Sequence, residues 1–186
     1  MNLKKLRSLF ILPFLFFLVS CSADSDISAN LCEHLKSLSE EKYIARITAS
    51  FPNREVSFSA DYRFSSKSDD RVTVTSPEEI AGVSFSVSED GNTLEFDGIM
   101  LELGSFPEDD ISPLSALPSL ISVWRGGNAS HITPSKMFGE NALLVIHKEN
   151  KREYRTWFSE TDFSPLYAEI YSDGIRIIEC KFERTH

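Results

Sequence analysis

Two neighbouring stretches of the chain, residues 43–51 and 56–64, alternate apolar and polar side chains with a period of two. The apolar members are Tyr43, Ala45, Ile47, Ala49 and Phe51 in the first stretch, and Val56, Phe58, Ala60, Tyr62 and Phe64 in the second. In an extended strand this period places every apolar side chain on one face. Pro52 and Asn53, which lie between the stretches, are typical turn residues. The pattern therefore predicts an antiparallel hairpin with one buried face.

Similar short alternating stretches continue on both sides of a less regular central segment. Those before it contain Val72 and Val74; Val83, Phe85 and Val87; Leu94 and Phe96; and Ile99, Leu101 and Leu103. Those after it are residues 142–147, 154–158, 166–171 and 175–182. Asp-Gly pairs at 90–91, 97–98 and 173–174 are typical of the tight turns that join hairpin strands. We therefore expect an antiparallel meander that is interrupted once.

Helical patterns are few and short. Asn30 can cap a helix over residues 31–42. The apolar positions that recur at helical spacing in it are Leu31, Leu35 and Leu38. Ser76 and the Pro-Glu-Glu that follows it form a compact helix start, which predicts a single turn over residues 77–81.

The central segment contains a second helical region. Ser112 can cap it and Pro113 can begin it. Its apolar stripe is Leu114, Leu117, Ile121 and Trp124. Pro118 lies inside this stripe and, because proline lacks a backbone donor and clashes with the preceding turn, it must kink the helix or begin a second short one. A Gly-Gly pair ends the region, and residues 128–141 have no regular period and are expected to form a loop.

Together these patterns predict a single α+β domain with one large, strongly twisted antiparallel sheet and helices packed on one side of it. The strand faces opposite the expected core are rich in serine and threonine, which suits a sheet face in contact with water. Aromatic residues make up 11% of the chain, and 14 of them are phenylalanines, which favours a β-rich core.

The first twenty residues are basic and then apolar. Lys4, Lys5 and Arg7 precede a nearly unbroken apolar run over residues 9–19, which is the arrangement of a secretory signal peptide. The run is short for a membrane-spanning helix, which needs about 20 apolar residues. It closes with Leu-Val-Ser-Cys at 18–21, which resembles the bacterial lipobox.

The lipobox resemblance implies that the Cys21 thiol carries a thioether-linked diacylglycerol and that cleavage makes Cys21 the mature N-terminus. Acyl chains contribute about 0.8 kcal/mol of membrane affinity per buried methylene, so they can hold a domain at the extracytoplasmic face of the cell membrane. An ordinary cleaved signal and a short uncleaved anchor are the alternatives. The predicted organisation is a signal peptide (1–20), the lipidated cysteine with a flexible polar tether (21–30), and one domain (31–186).

The chain carries a formal net charge of −9, and the leader contributes only basic residues to it, so the remainder is more acidic still. Nucleic acids and anionic bilayer surfaces attract basic patches. The composition therefore argues against nucleic acid as a partner, and it leaves the lipid anchor as the predicted contact with the membrane.

Two cysteines follow Cys21. Cys32 lies on the first predicted helix and Cys180 in the last predicted strand. Outside the cytoplasm they could form a disulfide that closes nearly the whole domain. The alternative is two free thiols that act as small apolar side chains.

No group of residues in the sequence points to catalysis or to a metal, so the chain is predicted not to be an enzyme. The histidines are His34, His131, His147 and His186; they have no zinc-like spacing, and the cysteines form no C-x-x-C. The sequence contains neither a phosphate-binding glycine loop nor a G-x-S-x-G motif. His147, beside Lys148, is expected at the surface or at a strand edge. The acidic groups at 69–70, 89–90 and 108–110 are expected to be solvated loop charges, with weak calcium binding as the alternative.

The order of these elements resembles that of the LolA/LolB-like proteins, which include lipoprotein carriers and receptors and lipid-anchored relatives in Gram-positive bacteria. Residues 76–82 (SPEEIAG) and 111–118 (ISPLSALP) are similar to segments of the Gram-positive relatives. The resemblance implies an open half-barrel with helices packed on its concave side and room there for acyl chains or other apolar groups. None of the ligand-contacting residues of the family's carriers is matched in this chain.

On that architecture, the residues expected to contact an apolar ligand are Phe58, Phe85, Leu117, Ile121 and Trp124. The helical insert could cover such a ligand as a lid; the alternative is that its apolar stripe, with Leu120, only completes the core. Binding of an acyl chain or of a lipoprotein's lipid is the leading hypothesis. A protein-partner adaptor of the cell envelope or spore, with the same fold and no ligand, is the alternative, and a hydrolase with an unrecognised site is a third.

Three observations distinguish these hypotheses. An open apolar cavity lined by the strand phenylalanines favours the ligand. A filled core with a large exposed apolar patch favours the adaptor. A cleft in which histidine, serine and acid side chains converge favours the hydrolase.

Overall fold

The computed structural model of the chain describes residues 23–88, 90–104 and 111–183. The leader, the predicted lipidation site Cys21, and the acidic residues at 89 and 108–110 lie outside this part, as does His186. The elements, in chain order, are α1 (Ala23–Ser37), β1 (Glu40–Phe51), β2 (Arg54–Ser65), β3 (Asp70–Ser76), a 3₁₀ turn (Glu78–Ile80), β4 (Ser84–Ser88), β5 (Gly91–Phe96), β6 (Ile99–Gly104), a second 3₁₀ turn (Pro113–Ser115), α2 (Ala116–Gly126), β7 (Ala129–Met137), β8 (Glu140–Glu149), β9 (Arg152–Ser159), β10 (Pro165–Ser172) and β11 (Ile175–Glu183).

All eleven strands form one antiparallel sheet in the order β6-β5-β4-β3-β2-β1-β11-β10-β9-β8-β7. Strands β1–β6 form one meander, strands β7–β11 form another, and the pairing of β1 with β11 joins them. The sheet is open, because β6 and β7 are its two edges within the described part of the chain. The predicted α+β class, a large open antiparallel sheet with helices on its concave side, is confirmed.

The buried side chains of the first three strands are the ones that the alternation predicts. They are Ala45, Ile47 and Ala49 in β1, Phe58, Ala60, Tyr62 and Phe64 in β2, and Val72 and Val74 in β3. Ala45 pairs with Ala60 across the hairpin, and these two and Ala168 of β10 have no exposed surface. Because alanine extends little from the sheet, Leu31 of α1 and Leu120 of α2 can pack close to the central strands, where both are fully buried.

Helix α1 begins at Ala23, which corrects the prediction of a flexible tether before Leu31. The apolar stripe starts one helical turn earlier than the leucine spacing indicates, because Ile27 packs against the same core. The helix also ends earlier than predicted, at Ser37, since β1 begins at Glu40. No helix among the described residues is long and apolar enough to cross a membrane.

The helical insert has the predicted caps. Ser112 and Ser115 form a capping box, in which the hydroxyl of each accepts a hydrogen bond from the backbone N–H of the other. Helix α2 begins after this turn, so Pro118 lies in its first turn, where no backbone donor is needed. Of the two predicted outcomes for this proline, the second short helix is therefore the one that forms. Gly127 ends α2 in the left-handed conformation, at φ 66°.

The chain after α2 forms a strand where a loop is predicted. Strand β7 is half-exposed and polar, and Pro134 interrupts it, so its sequence has no clear alternation of apolar and polar residues. It lies at the edge of the sheet, where a proline is tolerated because one side of the backbone has no neighbouring strand. The predicted cap at Ser76 is also absent, since β3 continues through that residue and the 3₁₀ turn has no side-chain cap.

Polar pairs stabilise the convex face of the sheet. The hydroxyls of Thr48 and Ser57 lie 3.2 Å apart on β1 and β2. Towards β10 and β11 the pairs become charged: Glu169 is only 8% exposed and accepts hydrogen bonds from Tyr171 at 3.0 Å and from Arg176 at 2.8 Å. A carboxylate this buried is stable because each oxygen has a donor.

Candidate functional site

The five residues predicted to contact an apolar ligand do come together on the concave face. They lie in β2 (Phe58), in β4 (Phe85) and in α2 (Leu117, Ile121 and Trp124). All five belong to one hydrophobic core and expose between 1% and 6% of their surface. In this structure they are covered by protein, as expected for an insert that completes the core.

Trp124 makes the main polar contact between α2 and the sheet. Its indole Nε1–H donates to Thr156 Oγ1 over 2.9 Å, and both residues are buried. The ring packs edge-on against Phe158, with centroids 5.0 Å apart. Tyr43 and Phe182 contact it at 6.2 Å and 6.0 Å. Helix α2 is therefore attached to β9 and to the junction of β1 with β11, and moving it away would leave a buried hydroxyl and an indole N–H unpaired.

Of the two alternatives for Cys32 and Cys180, a disulfide and free thiols, the structure has free thiols. Cys180 is fully buried on the core face of β11, and burial raises the pKa of its thiol. Cys32 is only partly buried, on α1 beside the leucine stripe. Because one thiol points into the sheet's core and the other lies on the partly exposed side of a helix, the alternative of unpaired side chains holds.

A cleft of about 550 Å³ opens between the β9–β10 turn and the C-terminal half of α1. Its lining includes histidine, serine and acid side chains, as a hydrolase requires. Ser164, however, donates its hydroxyl to Asp162 Oδ1 at 2.8 Å within its own turn, and the ring of His34 packs against Phe163 at 5.7 Å. A serine has one hydroxyl proton, so Ser164 does not donate to a histidine base here.

The other serine of the cleft, Ser159, accepts a hydrogen bond from the backbone N–H of Thr161 at 3.3 Å. Burial raises the pKa of Glu41, and the charge of nearby His34 opposes that rise. Among residues 23–88, 90–104 and 111–183, no three histidine, cysteine or acidic side chains are grouped so that they could hold a metal ion.

An apolar surface on the concave face extends beyond the helices. Phe85 of β4 lies opposite Leu94 of β5, which lies opposite Leu101 of β6. Exposure rises along this row, from 1% at Phe85 to 53% at Leu101, with Leu94 in between. The apolar residues of β5 and β6 that share this face, called the β5–β6 strip below, are Leu94, Phe96, Ile99, Leu101 and Leu103; the last four expose 41–66% of their surface. Concave-face apolar side chains thus meet solvent at this flank.

The two edges of the sheet differ in how well they are protected. Strand β7 contains Pro134 and Lys136 and has a register shift between residues 129 and 131, all features that disfavour pairing with a further strand. Strand β6 has no proline and no basic residue, and Glu102 is its one charged residue. Its outer backbone groups face no neighbouring strand within the described part of the chain. Such an edge can accept an additional strand.

The prediction that His147 lies at the surface or at a strand edge is wrong. Strand β8 lies between β7 and β9, and the alternation of Leu143 and Val145 continues to His147, which faces the core and is 2% exposed. The alternation of Leu143, Val145 and His147 is therefore a sequence signal that indicates a buried His147. His147 Nδ1 has no hydrogen-bond partner, and neither has the buried Nη2 of Arg152 on β9. Burial lowers the pKa of His147 to about 4, so the imidazole is neutral at pH 7.

No protein-family model matches the chain, and no curated protein matches it. Solved structures do match. A LolA-superfamily protein from Nitrosomonas europaea is 9% identical, with 84% of this chain and 91% of that chain covered and a TM-score of 0.42. The lipoprotein LppX of Mycobacterium tuberculosis is 16% identical, with 87% and 95% covered and a TM-score of 0.45. A chain in the structure of the Clostridioides difficile CwlD amidase in complex with the GerS lipoprotein is 11% identical, with 89% and 96% covered and a TM-score of 0.43.

These neighbours are LolA-superfamily and lipoprotein structures, as the resemblance of the sequence predicts. The likeness is one of fold at low sequence identity. What this chain binds therefore has to be inferred from its own side chains.

The burial of His147 makes stability depend on pH. In the unfolded chain this histidine takes up a proton near pH 6.5, whereas in the folded chain it does so near pH 4. Between these values the unfolded state binds more protons, so the free energy of unfolding falls as the pH is lowered from 6.5 to 4. We expect His147→Phe, which keeps a ring but cannot titrate, to lose this part of the pH dependence in urea unfolding measured between pH 4 and 7.

The comparison with the wild-type chain isolates the histidine. The raised pKa values of Glu41 and Asp70 give the opposite slope near their own pKa values, but they are present in both proteins and cancel in the difference. A stability difference between the two proteins that stays constant from pH 4 to 7 would contradict the prediction.

Proposed function

We propose that this chain is a lipid-anchored, non-enzymatic protein of the cell envelope that holds a partner protein at the β5–β6 strip. The observation that supports this is the coincidence of an exposed apolar surface with the edge of β6, which pairs with no further strand among the described residues. The partner contributes an extended segment that pairs with β6 and lays apolar side chains on the strip. In this mode of recognition main-chain hydrogen bonds supply affinity and side-chain contacts supply specificity.

The acidic character of the chain favours a basic partner. Asp97 is exposed in the turn at the end of the strip, whereas Glu95 and Glu102 alternate with the strip residues along β5 and β6 and lie on the opposite face of the sheet. The whole chain carries a net charge of −9, so two copies repel each other. A different protein, with lysine or arginine beside its apolar residues, fits the strip better than a second copy, and opposite charge also speeds its association.

The anchor is part of the same proposal. Cys21 carries the diacylglycerol, and α1 begins only two residues later, at Ala23. Two residues span at most about 7 Å, so the domain is held close to the extracytoplasmic face of the membrane. The partner therefore has to be in the envelope or to come to the membrane surface.

A second candidate function is the binding of an acyl chain beneath α2. The gathering of Phe58, Phe85, Leu117, Ile121 and Trp124 into one apolar cluster favours it. Because these side chains are covered in the present structure, a ligand enters only when α2 moves away from the sheet. In that case α2 acts as the lid that the sequence suggests.

Leu101→Lys places an ammonium group on the strip. Leu101 is 53% exposed, so the substitution is expected to leave the fold intact. We expect the affinity for the partner to fall at least tenfold, about 1.4 kcal/mol, because the charge must be desolvated at the interface. The partner is identified by cross-linking in the producing cells, then purified, and its affinity is measured by calorimetry; its binding should also slow hydrogen exchange of the β6 amides.

Ile175→Lys is the matched control for the strip, because Ile175 is 69% exposed on β11 and receives the same substitution. Equal losses of affinity in the two variants, or unchanged exchange in β6, would contradict the strip as the interface. Self-association of the purified chain that Leu101→Lys abolishes would identify a second copy as the occupant.

The acyl-chain candidate predicts uptake of a fluorescent fatty acid by the purified chain. We expect Leu117→Ala combined with Ile121→Ala to weaken uptake at least a hundredfold, because the two substitutions remove six carbon groups and each lost methylene removes about 0.8 kcal/mol of apolar contact. Ile175→Ala is the exposed control and should bind like the wild-type chain. If the wild-type chain takes up no fatty acid and native mass spectrometry finds no co-purified lipid, the candidate is wrong, whereas the strip proposal is unaffected.

If Cys21 carries the lipid anchor, we expect Cys21→Ala to move the chain from the membrane fraction to the soluble fraction, because the variant lacks the thiol that forms the thioether. The measurement is immunoblotting of the fractions together with metabolic labelling by an alkynyl fatty acid. Ser22→Ala, one position away, should remain labelled and membrane-bound. Membrane retention of unlabelled Cys21→Ala at the wild-type level would favour an uncleaved anchor instead.

A further inference from the structure

The core face of β8 and β9 carries two buried side-chain nitrogens without partners, His147 Nδ1 and Arg152 Nη2. Within the described part of the chain, every other buried side-chain nitrogen or oxygen has a hydrogen-bond partner. In proteins about nine in ten or more of such groups are paired, so an unpaired group requires a physical explanation. Here two of them occur on adjacent strands.

Both residues are neighbours of Tyr154. His147 in β8 is paired with Tyr154 in β9 across the ladder, and each of them is 2% exposed. Arg152 lies two residues before Tyr154 on the same strand, so its side chain leaves the same face of the sheet. Its Nη1 donates to the Tyr154 hydroxyl at 3.4 Å. His147 is therefore the cross-strand neighbour of Tyr154, and the guanidinium of Arg152 contacts the Tyr154 hydroxyl.

Arg152 is only partly buried and forms no ion pair within the described residues, although Glu149 lies opposite it in the β8–β9 ladder. On the opposite face of the sheet Arg155 pairs with Glu153 at 2.6 Å, and Arg176 pairs with Glu169 at 2.8 Å. No carboxylate of the described residues forms an ion pair of this kind with Arg152. A guanidinium with a buried nitrogen and no ion-pair partner is costly, and an anion placed at that nitrogen offsets the cost.

We propose that His147, Arg152 and Tyr154 bind a single oxyanion group, a carboxylate or a phosphate. One oxygen accepts a hydrogen bond from Arg152 Nη2, and a second accepts one from His147 Nδ1–H in the tautomer that protonates this nitrogen. The Tyr154 hydroxyl accepts from Arg152 Nη1 and is free to donate its own proton to the same anion. Bonds from a charged guanidinium to an oxyanion are roughly twice as strong as neutral ones.

The position of the site suits an anion better than a water molecule alone. A water molecule satisfies the hydrogen bonds but leaves Arg152 without an ion-pair partner. The adjoining β8–β9 turn, residues 149–151, is exposed, so a small anion can reach the site from solvent. The site lies towards the β7 edge of the sheet, away from the β5–β6 strip, and it does not depend on the proposed partner.

The test is a titration of the full chain, in detergent, with sodium acetate or sodium phosphate at constant ionic strength balanced by sodium chloride. Binding to the folded state should raise the unfolding temperature with anion concentration, and should shift the ¹⁵N signal of His147 Nδ1. A response to one anion identifies the oxyanion class. If a medium-chain fatty acid binds at least tenfold more tightly than acetate, the group is the head of a lipid, and equal affinities indicate a free anion.

Arg152→Gln keeps a donor but removes the charge, and it should weaken anion binding at least tenfold. Arg155→Gln, which removes a paired arginine from the same strand, should respond like the wild-type chain. If Arg152→Gln does not fold, His147→Gln and the shift of the wild-type His147 signal still decide the question. The proposal is overturned if neither anion raises the unfolding temperature nor moves that signal, or if crystals grown in acetate contain an ordered water only at the two nitrogens.

Discussion

The concave face of the sheet is wider than the helices that cover it. Eleven strands at a spacing of about 4.8 Å span about 50 Å. Helices α1 and α2 contain 15 and 11 residues and are therefore about 22 Å and 16 Å long and about 10 Å across. Even end to end they cannot cover the face. Helices α1 and α2 pack where alanines on the central strands let them come close. The strands towards both flanks are therefore covered less.

The two proposed binding sites lie on those flanks, and the chemistry of their side chains differs. Towards β6 the concave face ends in the apolar β5–β6 strip, beside a strand edge that has no neighbouring strand in the described part of the chain. Towards β7 it ends in the buried polar group of His147, Arg152 and Tyr154. The filled core beneath α2 separates them. One flank is therefore suited to a protein segment and the other to an oxyanion, and neither site has to be disturbed for the other to be occupied.

The sequence predicted those features whose signals are local. The period-two alternation over residues 43–64 identified the strands and their buried side chains, and the caps of α2 were read from neighbouring residues. The burial of His147 depends on β7 lying outside β8, and β7 is hidden by Pro134 and its polar residues. The first turn of α1 has one apolar anchor, Ile27, in a polar stretch, and such a turn is stabilised by tertiary packing more than by propensity. The exposure of the β5–β6 strip could not be predicted either, because a strand has the same alternation of apolar and polar residues whether or not a helix covers its apolar face.

The predicted ligand residues show the same limit, and their burial bears on the choice between the two proposed functions. The sequence placed them on the correct face, but it could not show whether α2 closes over them. Helix α2 buries Leu117, Leu120, Ile121 and Trp124, among others, and each such side chain gains about 1.5–3 kcal/mol from burial. Lifting the helix therefore costs on the order of 8 kcal/mol, which a ligand can offset only by filling the space that α2 leaves. A partner at the β5–β6 strip covers side chains that are already exposed, so it adds burial without removing any.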